Sequence, residues 1–187
     1  VDIYPNLESL EKEFIKLINK TKNLIVACGD WPSIKKIIKK TEKNVVTYGF
    51  NNDNLWQAYD ICREYDKTSF KVRKEDVELD EFSINLFGDH NVLNATAAII
   101  VGLNEGIDLI KIRTILSQFK GSERRFDVSQ RNDIIFVDDY AHHPTEIKTT
   151  LKAIRHRYSD KTIWCVFQPH QHQRTYYLFS DFVKLFK

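Results

Sequence analysis

The stretch IIFVDDYAHHPTE, residues 134–146, places two carboxylates, a tyrosine and two histidines directly after an apolar run. The apolar run, residues 134–137, predicts a buried strand. Pro144 suits the first position of a helix, because its missing N–H would have no partner there. Ligands of open α/β sheets bind outside the carboxyl ends of the strands. The stretch therefore predicts an α/β fold with a functional turn at a strand end. A capped helix start with surface histidines is the simpler alternative, and the density of titratable groups argues against it.

The composition is that of a globular chain rather than a nucleic-acid-binding or membrane protein. The 187 residues are 42% hydrophobic, which allows one large or two small domains. The net charge is +2, with Lys and Glu interspersed, so nucleic acid is not the expected main partner. No apolar run is long enough to span a membrane. The chain contains no methionine, so we expect residue 1 to be a processed or truncated end.

The cysteines indicate a reducing compartment. Cys28, Cys62 and Cys165 are far apart in the chain and lie among apolar or strand-like neighbours. No CxxC or CxxH spacing is present, so a metal site is not expected at these residues. We expect three buried thiols in a cytoplasmic protein.

The first half of the chain predicts a βαβ unit followed by antiparallel strands. Asn6 can cap a helix that runs through Ile18, and Pro32 can open a second helix. Residues 24–28 and 45–49 flank that second helix and predict two parallel strands. Residues 55–87 alternate with a period of two, with Trp56, Ala58, Asp60 and Cys62 in phase. This pattern predicts two or three antiparallel strands with one solvated face.

The stretch GDHNVLNA, residues 88–95, places His90, Asn91 and Asn94 at the start of a helix predicted to reach Leu103. The free N–H groups and the dipole of a helix N-terminus favour a polar or anionic ligand. An Asn side chain offers both a donor and an acceptor, which suits the edge of an adenine. Plain capping by Asp89 or Asn91 is the alternative, and this stretch alone does not decide between the two.

A linker divides the rest of the chain. Gly106 closes the preceding helix, and residues 108–119 predict another helix with Ile112, Ile115, Leu116 and Phe119 facing inward. After the short linker 121–123 come Arg124 and Arg125, whose forked donors could clamp a phosphate, with a surface pair as the alternative.

The last part of the chain predicts one more strand and one more helix. Residues 162–167 predict a buried strand that ends at QPHQHQRT, residues 168–175. Its carboxyl end is expected to face the same crevice as residues 137–143. The spacing of His170 and His172 could suit zinc, but no carboxylate or cysteine lies beside them, so zinc is disfavoured. Residues 176–186 predict a final helix.

Four stretches together resemble one family. They are GDHNVLN (88–94), RRF (124–126), DDYAHHPTE (138–146), and QPH (168–170) with RT (174–175). They resemble the Mur ligases, and the last two stretches resemble the members that add L-alanine. The resemblance implies that residues 1–122 are the second part of a central ATP-binding domain, with a mixed sheet and helices. Residues 123–187 would then be the first part of an incomplete Rossmann-like C-terminal domain that binds the amino acid.

The resemblance also implies an activity, that of a cytoplasmic ATP-dependent amide ligase of peptidoglycan precursor synthesis. ATP would phosphorylate the carboxylate of UDP-N-acetylmuramate, and the amine of L-alanine would attack the acyl phosphate. Mg²⁺ and a cationic clamp would stabilise the charge on the transferred phosphoryl group.

The resemblance assigns roles to individual residues. Arg125 and His142 are expected to be catalytic, and His143 to be a positioning residue. The expected ATP-binding residues are His90, Asn91, Asn94, Arg125 and Asp139, with the Asn pair at the adenine, Arg125 at the phosphates and Asp139 at the ribose. The expected amino-acid pocket comprises Tyr140, His142, His170 and Arg174, with Arg174 pairing the alanine carboxylate. No metal ligand is expected in this chain.

The chain departs from the family pattern in ways that matter for activity. It contains no Gly-Lys-Thr P-loop, and the Mg²⁺ ligands are expected upstream, so we predict no ligase activity for these 187 residues alone. Ala141 stands where the family usually has glycine, and Gln-His-Gln at 171–173 replaces the more usual Arg-Tyr-Thr. If Asn91 and Arg125 contact one ATP, the linker must allow the two domains to close on it. The alternatives are a related ligase that adds a peptide to muramate and a non-catalytic nucleotide-binding module.

Overall fold

The computed structural model describes residues 4–186, and the chain divides into a unit of residues 6–119 and a second unit that contains residues 120–186. The first unit is a five-stranded mixed sheet with the strand order β1-β2-β3-β4-β5 and four helices. Its elements are α1 (Leu7–Lys20), β1 (Val26–Cys28), α2 (Pro32–Ile38), β2 (Val46–Gly49), β3 (Trp56–Arg63), β4 (Thr68–Lys74), β5 (Val77–Ile84), α3 (Asp89–Asn104) and α4 (Leu109–Gln118).

The sheet of the first unit changes from parallel to antiparallel at β3. Strands β1, β2 and β3 are parallel neighbours, and β3, β4 and β5 are antiparallel. The α/β fold class, the βαβ unit and the antiparallel strands are therefore confirmed. The predicted in-phase burial of Asp60 and Cys62 is wrong, since both are exposed. The register shifts between Tyr59 and Cys62, where Asp60 has a φ of 53°. Such a bulge puts the end of the strand out of phase with its beginning.

The core of the first unit lies between the sheet and α3. The largest fully buried side chains come from β4, β5 and α3, and they include Phe70, Phe82, Ile84, Ile99, Val72 and Val92. Helix α4 adds Ile112, which is buried, whereas Ile115 and Phe119 are 52% and 47% exposed. The prediction that these two face inward is wrong. Ile112 and Leu116 share one face of α4, and Ile115 lies about 100° around the helix from Leu116.

The second unit consists of a β-hairpin and three helices. They are β6 (Asp127–Arg131), β7 (Ile134–Asp138), α5 (Pro144–Arg157), α6 (His172–Tyr177) and α7 (Phe179–Leu185). Strands β6 and β7 pair antiparallel around a turn in which Asn132 has a φ of 53°. Helix α5 begins at Pro144, as predicted. Strand β7 is not the buried strand that we predicted, because Ile134 and Phe136 are 61% and 48% exposed.

Residues 162–167 do not form the predicted buried strand. Trp164 is 90% exposed and Val166 is 99% exposed, whereas Ile163 and Phe167 are half-buried. Cys165, which would face the same side as Ile163 and Phe167 in a strand, is exposed, and no ladder partner for the segment exists among residues 4–186. A strand is defined by its hydrogen-bonded neighbour, so an apolar run alone did not suffice. The expected pair of parallel strand ends facing one crevice is therefore not formed.

Two smaller predictions also fail. The last helix is divided at Leu178 into α6 and α7, so it is not continuous over residues 176–186. Cys62 and Cys165 are exposed and Cys28 is only half-buried, and all three are free thiols. None of the described helices is long and apolar enough to cross a membrane.

Candidate functional site

The first turn of α3 carries His90, Asn91 and Asn94. Gly88, the N-cap residue, has a φ of 94° and provides no side chain to cap the helix. The side-chain nitrogen Nδ2 of Asn91 donates to the Phe87 carbonyl over 2.8 Å, and Nδ2 of Asn94 lies 3.5 Å from Asn91 Oδ1. The Asn91 amide therefore ties the helix to the preceding loop instead of capping it. Asn94 remains exposed on the face that Asn91 shares.

Asp89 also takes a different role from the capping that was one alternative. It pairs with Arg63 of β3, whose Nε donates to Asp89 Oδ1 over 3.2 Å. This ion pair fixes the start of α3 against the end of β3. The helix N-terminus and its two asparagines are thus held in place by contacts that leave Asn94 accessible.

In the second unit, an aromatic and cationic cluster lies where β7 ends. The guanidinium carbons of Arg124 and Arg125 lie 5.2 and 5.8 Å from the centre of the Tyr140 ring, within the range of cation–π attraction. The His142 ring meets the Tyr140 ring edge-on, with the ring centres 5.2 Å apart. Tyr140 is 44% exposed. Two guanidinium groups held beside an exposed ring form a surface suited to phosphate oxygens.

Asp139 joins the two chain segments of this cluster. Its Oδ2 accepts the Phe126 N–H over 3.0 Å, and its Oδ1 accepts the Ala141 N–H over 2.7 Å. The Tyr140 N–H donates to the Arg124 carbonyl over 2.8 Å. Each carboxylate oxygen retains acceptor capacity for a further donor.

His142 and Glu146 are placed by the start of α5. Glu146 Oε2 accepts the N–H groups of His142 and His143 over 3.0 and 3.2 Å. Burial raises the pKa of Glu146, but these two donors and the nearby positive charge of Arg125 together lower it, so that the pKa lies below its ordinary value. His142 Nδ1 lies 2.9 Å from the Tyr140 carbonyl. Because a carbonyl only accepts, Nδ1 carries the proton there and Nε2 keeps a free lone pair in the neutral ring.

His143 is the N-cap of α5. Its Nδ1 accepts the Thr145 N–H over 3.2 Å, and Glu146 completes a reciprocal capping box. The simpler interpretation of this stretch, a capped helix start, thus describes His143 and Glu146. Sequence reasoning gave Glu146 no role. The glutamate three residues after the cap was the available signal, although histidine is not one of the usual capping residues.

His170 and Arg174 lie elsewhere in the second unit. His170 lines an open hollow of about 710 Å³, whereas Arg174 is half-buried on α6. Within residues 4–186, no hydrogen bond or ion pair joins either residue to Tyr140 or His142. Of the four residues expected to form the amino-acid pocket, Tyr140 and His142 are therefore in direct contact, and no polar contact joins His170 or Arg174 to them. The hollow is lined by Pro169, His170, Gln171, His172, Thr175, Tyr176 and Phe179.

The part of the chain that the structure describes offers no cluster of three or more His, Cys, Asp or Glu side chains able to hold a metal ion.

Comparisons with known proteins give a consistent result. Residues 1–102 match the model of the Mur ligase middle domain, and residues 124–187 match that of the Mur ligase glutamate ligase domain. The UDP-N-acetylmuramate–L-alanine ligase of Levilactobacillus brevis is 42% identical over 183 residues, which are 98% of this chain and 41% of that protein. The ligase of the same name from Lactobacillus delbrueckii subsp. bulgaricus is 37% identical over 186 residues, 100% of this chain and 42% of that protein.

A solved structure agrees. The UDP-N-acetylmuramate–alanine ligase of Thermotoga maritima superposes with a TM-score of 0.75 at 26% identity, covering 93% of this chain and 39% of that one. The chain thus spans about two fifths of the length of the curated relatives that it matches.

Proposed function

Because this chain belongs to the Mur ligase family, we propose that it is part of an ATP-dependent ligase that joins L-alanine to UDP-N-acetylmuramate. The relatives that match nearly its whole length carry that name. The structural observation that supports the proposal is the cluster of Arg125, Tyr140 and His142 at the end of β7. On this proposal, residues 1–122 belong to the ATP-binding domain and residues 123–187 to the amino-acid-binding domain of a cytoplasmic enzyme.

The reaction needs an activated carboxylate, because a free carboxylate is a poor electrophile. ATP would transfer its γ-phosphoryl group to the carboxylate of UDP-N-acetylmuramate. The amine of L-alanine would then displace phosphate from the acyl phosphate and form the amide. Mg²⁺, when bound, would shield the phosphate charges. The task of this chain is to bind and orient the reactants and to stabilise the charge on the phosphoryl group.

The first unit would contribute to the adenine. Asn94 is exposed, and its amide can both donate to and accept from a base edge. The Asn91 side chain contacts the Asn94 side chain on the same face of the helix, and His90 lies on the same first turn.

The second unit would contribute to the ribose and the phosphates. Arg125 offers forked donors to phosphate oxygens, and the Tyr140 ring supports its guanidinium group. The remaining lone pairs of Asp139 can accept hydroxyl groups of the ribose.

His142 would act on the amino acid. Its Nδ1–H is bonded to the Tyr140 carbonyl, so Nε2 is free to accept a proton from the alanine ammonium group, which must lose one before it can attack. Arg174 would pair with the alanine carboxylate, and His170 would line the pocket near it. These two assignments rest on the family resemblance.

The direct test is a steady-state assay on the protein expressed at the full length encoded at its locus. We expect release of ADP that requires both UDP-N-acetylmuramate and L-alanine. Turnover of UDP-N-acetylmuramate with a free tripeptide as the amine, but not with L-alanine, would instead assign the peptide-adding reaction. Nucleotide binding without turnover on any amine would favour a non-catalytic module. The 187 residues alone are expected to form no ADP, since they contain no P-loop.

A matched pair of variants tests the phosphate role of Arg125. Arg125→Ala should lower kcat by about 100-fold or more, as the loss of a charge-stabilising donor typically does. Arg131→Ala is the control, because Arg131 is an exposed arginine at the far end of the same hairpin. Equal activity of the two variants would contradict the assignment of Arg125.

A further inference from the structure

The hairpin ladder ends where the candidate cluster begins. The last paired residues of β6 and β7 are Asp127 and Asp138. Phe126, the next residue outward, has a φ of 53° and has left the strand conformation. Its N–H donates to the side chain of Asp139 over 3.0 Å. The carboxylate therefore continues the pairing of the two segments beyond the end of the backbone ladder.

The same carboxylate also holds the turn that leads to His142. Asp139 Oδ1 accepts the Ala141 N–H over 2.7 Å, and both hydrogen bonds of Asp139 are partly buried. One side chain thus fixes the backbone on either side of the cluster. Arg125 lies on one of the two joined segments, and His142 follows directly after the other.

The segment that carries Arg125 depends on such support. Arg124 and Phe126, its two neighbours, have φ angles of 57° and 53°. Residues with a Cβ rarely adopt this left-handed conformation, and they keep it only where the surroundings hold them there. The contacts that hold them include the Phe126 N–H bond to Asp139, the Tyr140 N–H bond to the Arg124 carbonyl and an exposed ion pair of Arg124 Nε with Asp138 Oδ2 over 3.9 Å.

We propose that Asp139 is a positioning residue, whose carboxylate joins residues 124–126 to residues 139–141 and so fixes the Arg125 guanidinium beside the Tyr140 ring. We call its two hydrogen bonds, from the N–H groups of Phe126 and Ala141, the Asp139 clasp. What Arg125 then binds, the phosphates of ATP, rests on the proposed function. The clasp itself is a property of the folded chain. It goes beyond the ribose contact assigned to Asp139, because the clasp operates through Arg125 whether or not a nucleotide is bound.

The first experiment uses NMR on the 187-residue chain with Asp139→Ala, Asp139→Asn and the control Asp133→Asn. Asp133 is an exposed aspartate in the turn of the same hairpin and accepts neither N–H. In Asp139→Ala the amide protons of Phe126 and Ala141 should move upfield and exchange at least about tenfold faster. The Arg125 side-chain protons should lose the shift caused by the Tyr140 ring current. The control should change none of these signals.

Asp139→Asn still tests the proposal if the alanine variant fails to fold. Asn has nearly the same shape but only one accepting oxygen, so at least one of the two amide signals must change. If both amide signals and the Arg125 side-chain signals stay at their wild-type positions, the clasp does not exist and the proposal is overturned.

The second experiment uses a double-mutant cycle in the protein expressed at its full encoded length. If Asp139 acts through Arg125, Asp139→Asn should lower kcat by about tenfold in the wild-type background and have no further effect in Arg125→Ala. The opposite result would be that the effects of Asp139→Asn and Arg125→Ala on kcat multiply, and that Asp139→Asn raises the KM for ATP but not the KM for 2′- or 3′-deoxy ATP. This result would mean that Asp139 acts by contacting the ribose, and it would overturn the positioning role. A protein without any ligase activity would refute the proposed function, and the NMR result would still decide the clasp.

Discussion

Replacing Asp30 with alanine should destabilise the unit of residues 6–119 by about 3 kcal/mol. Asp30 follows β1, and its carboxylate connects the ends of β1 and β2. It accepts the N–H groups of Phe50 and Asn51 over 2.7 and 3.1 Å, and the Asn54 amide over 2.8 Å. Asn54 is 7% exposed and also donates to the Asn51 carbonyl. The loop after β2 is therefore built around this one carboxylate.

The magnitude follows from how each donor is solvated. The Asn51 N–H is exposed, so water replaces the lost bond at little cost. The bonds from Phe50 and Asn54 are partly buried, and a hydrogen bond to a charged acceptor contributes about 1.5 kcal/mol each at the lower end of the usual range. Their sum is about 3 kcal/mol. With a urea dependence of about 2 kcal/mol per M, the unfolding midpoint should fall by about 1.5 M.

Tryptophan fluorescence can follow this unit during urea unfolding. Trp56 is 7% exposed and becomes solvated on unfolding, whereas Trp164 of the other unit is already 90% exposed. Asp53→Ala is the matched control, since Asp53 lies in the same loop and its carboxylate pairs with Lys35 at the surface. Its midpoint should hardly move. If the Asp30 and Asp53 variants shift the midpoint equally, the argument that the Asp30 carboxylate holds the strand ends is refuted.

Two further predictions concern the ends of helices. Burial raises the pKa of Glu146, but the N–H donors of His142 and His143 bring it below the ordinary 4.5, so its stabilisation is present above about pH 4.5 and is lost as the pH falls through the lower folded value. In thermal melts, the wild-type chain should therefore have a higher Tm than Glu146→Gln at pH 7, and the two Tm values should converge near pH 3. A Tm difference that does not change with pH would contradict this role. Gly106 has a φ of 75°, and the space that a Cβ would occupy is open. Gly106→Ala should therefore lower the free energy of unfolding in urea by about 1 kcal/mol, and Gly106→Asn should lower it by less. Equal losses for the two variants would point to packing instead of backbone conformation.

Local signals explain which elements could be predicted. The Asn6 cap, Pro32 and Pro144 each mark a helix start through contacts within a few residues, and the three helices begin there. The clasp by Asp139 could not be predicted in this way. It joins residues 13 positions apart, and it depends on a left-handed Phe126 that no residue preference favours. Sequence patterns thus singled out Asp139, but not the bonds that its side chain makes.

The two parts of the candidate site differ in what determines their geometry. The cluster around Tyr140 follows from the β6–β7 hairpin, whose pairing is local and is extended by the Asp139 clasp. His170 instead follows residues 162–167, which contain an apolar run but have no ladder partner among residues 4–186. What holds that segment is Phe167, which stacks on Phe182 and contacts Phe186 with ring centres 5.3 and 5.5 Å apart. An apolar run indicates that a segment can be buried, whereas its hydrogen-bonded neighbour depends on what lies beside the segment in the fold. The position of His170 therefore depends on longer-range packing, whereas that of Arg125 is set within its own hairpin.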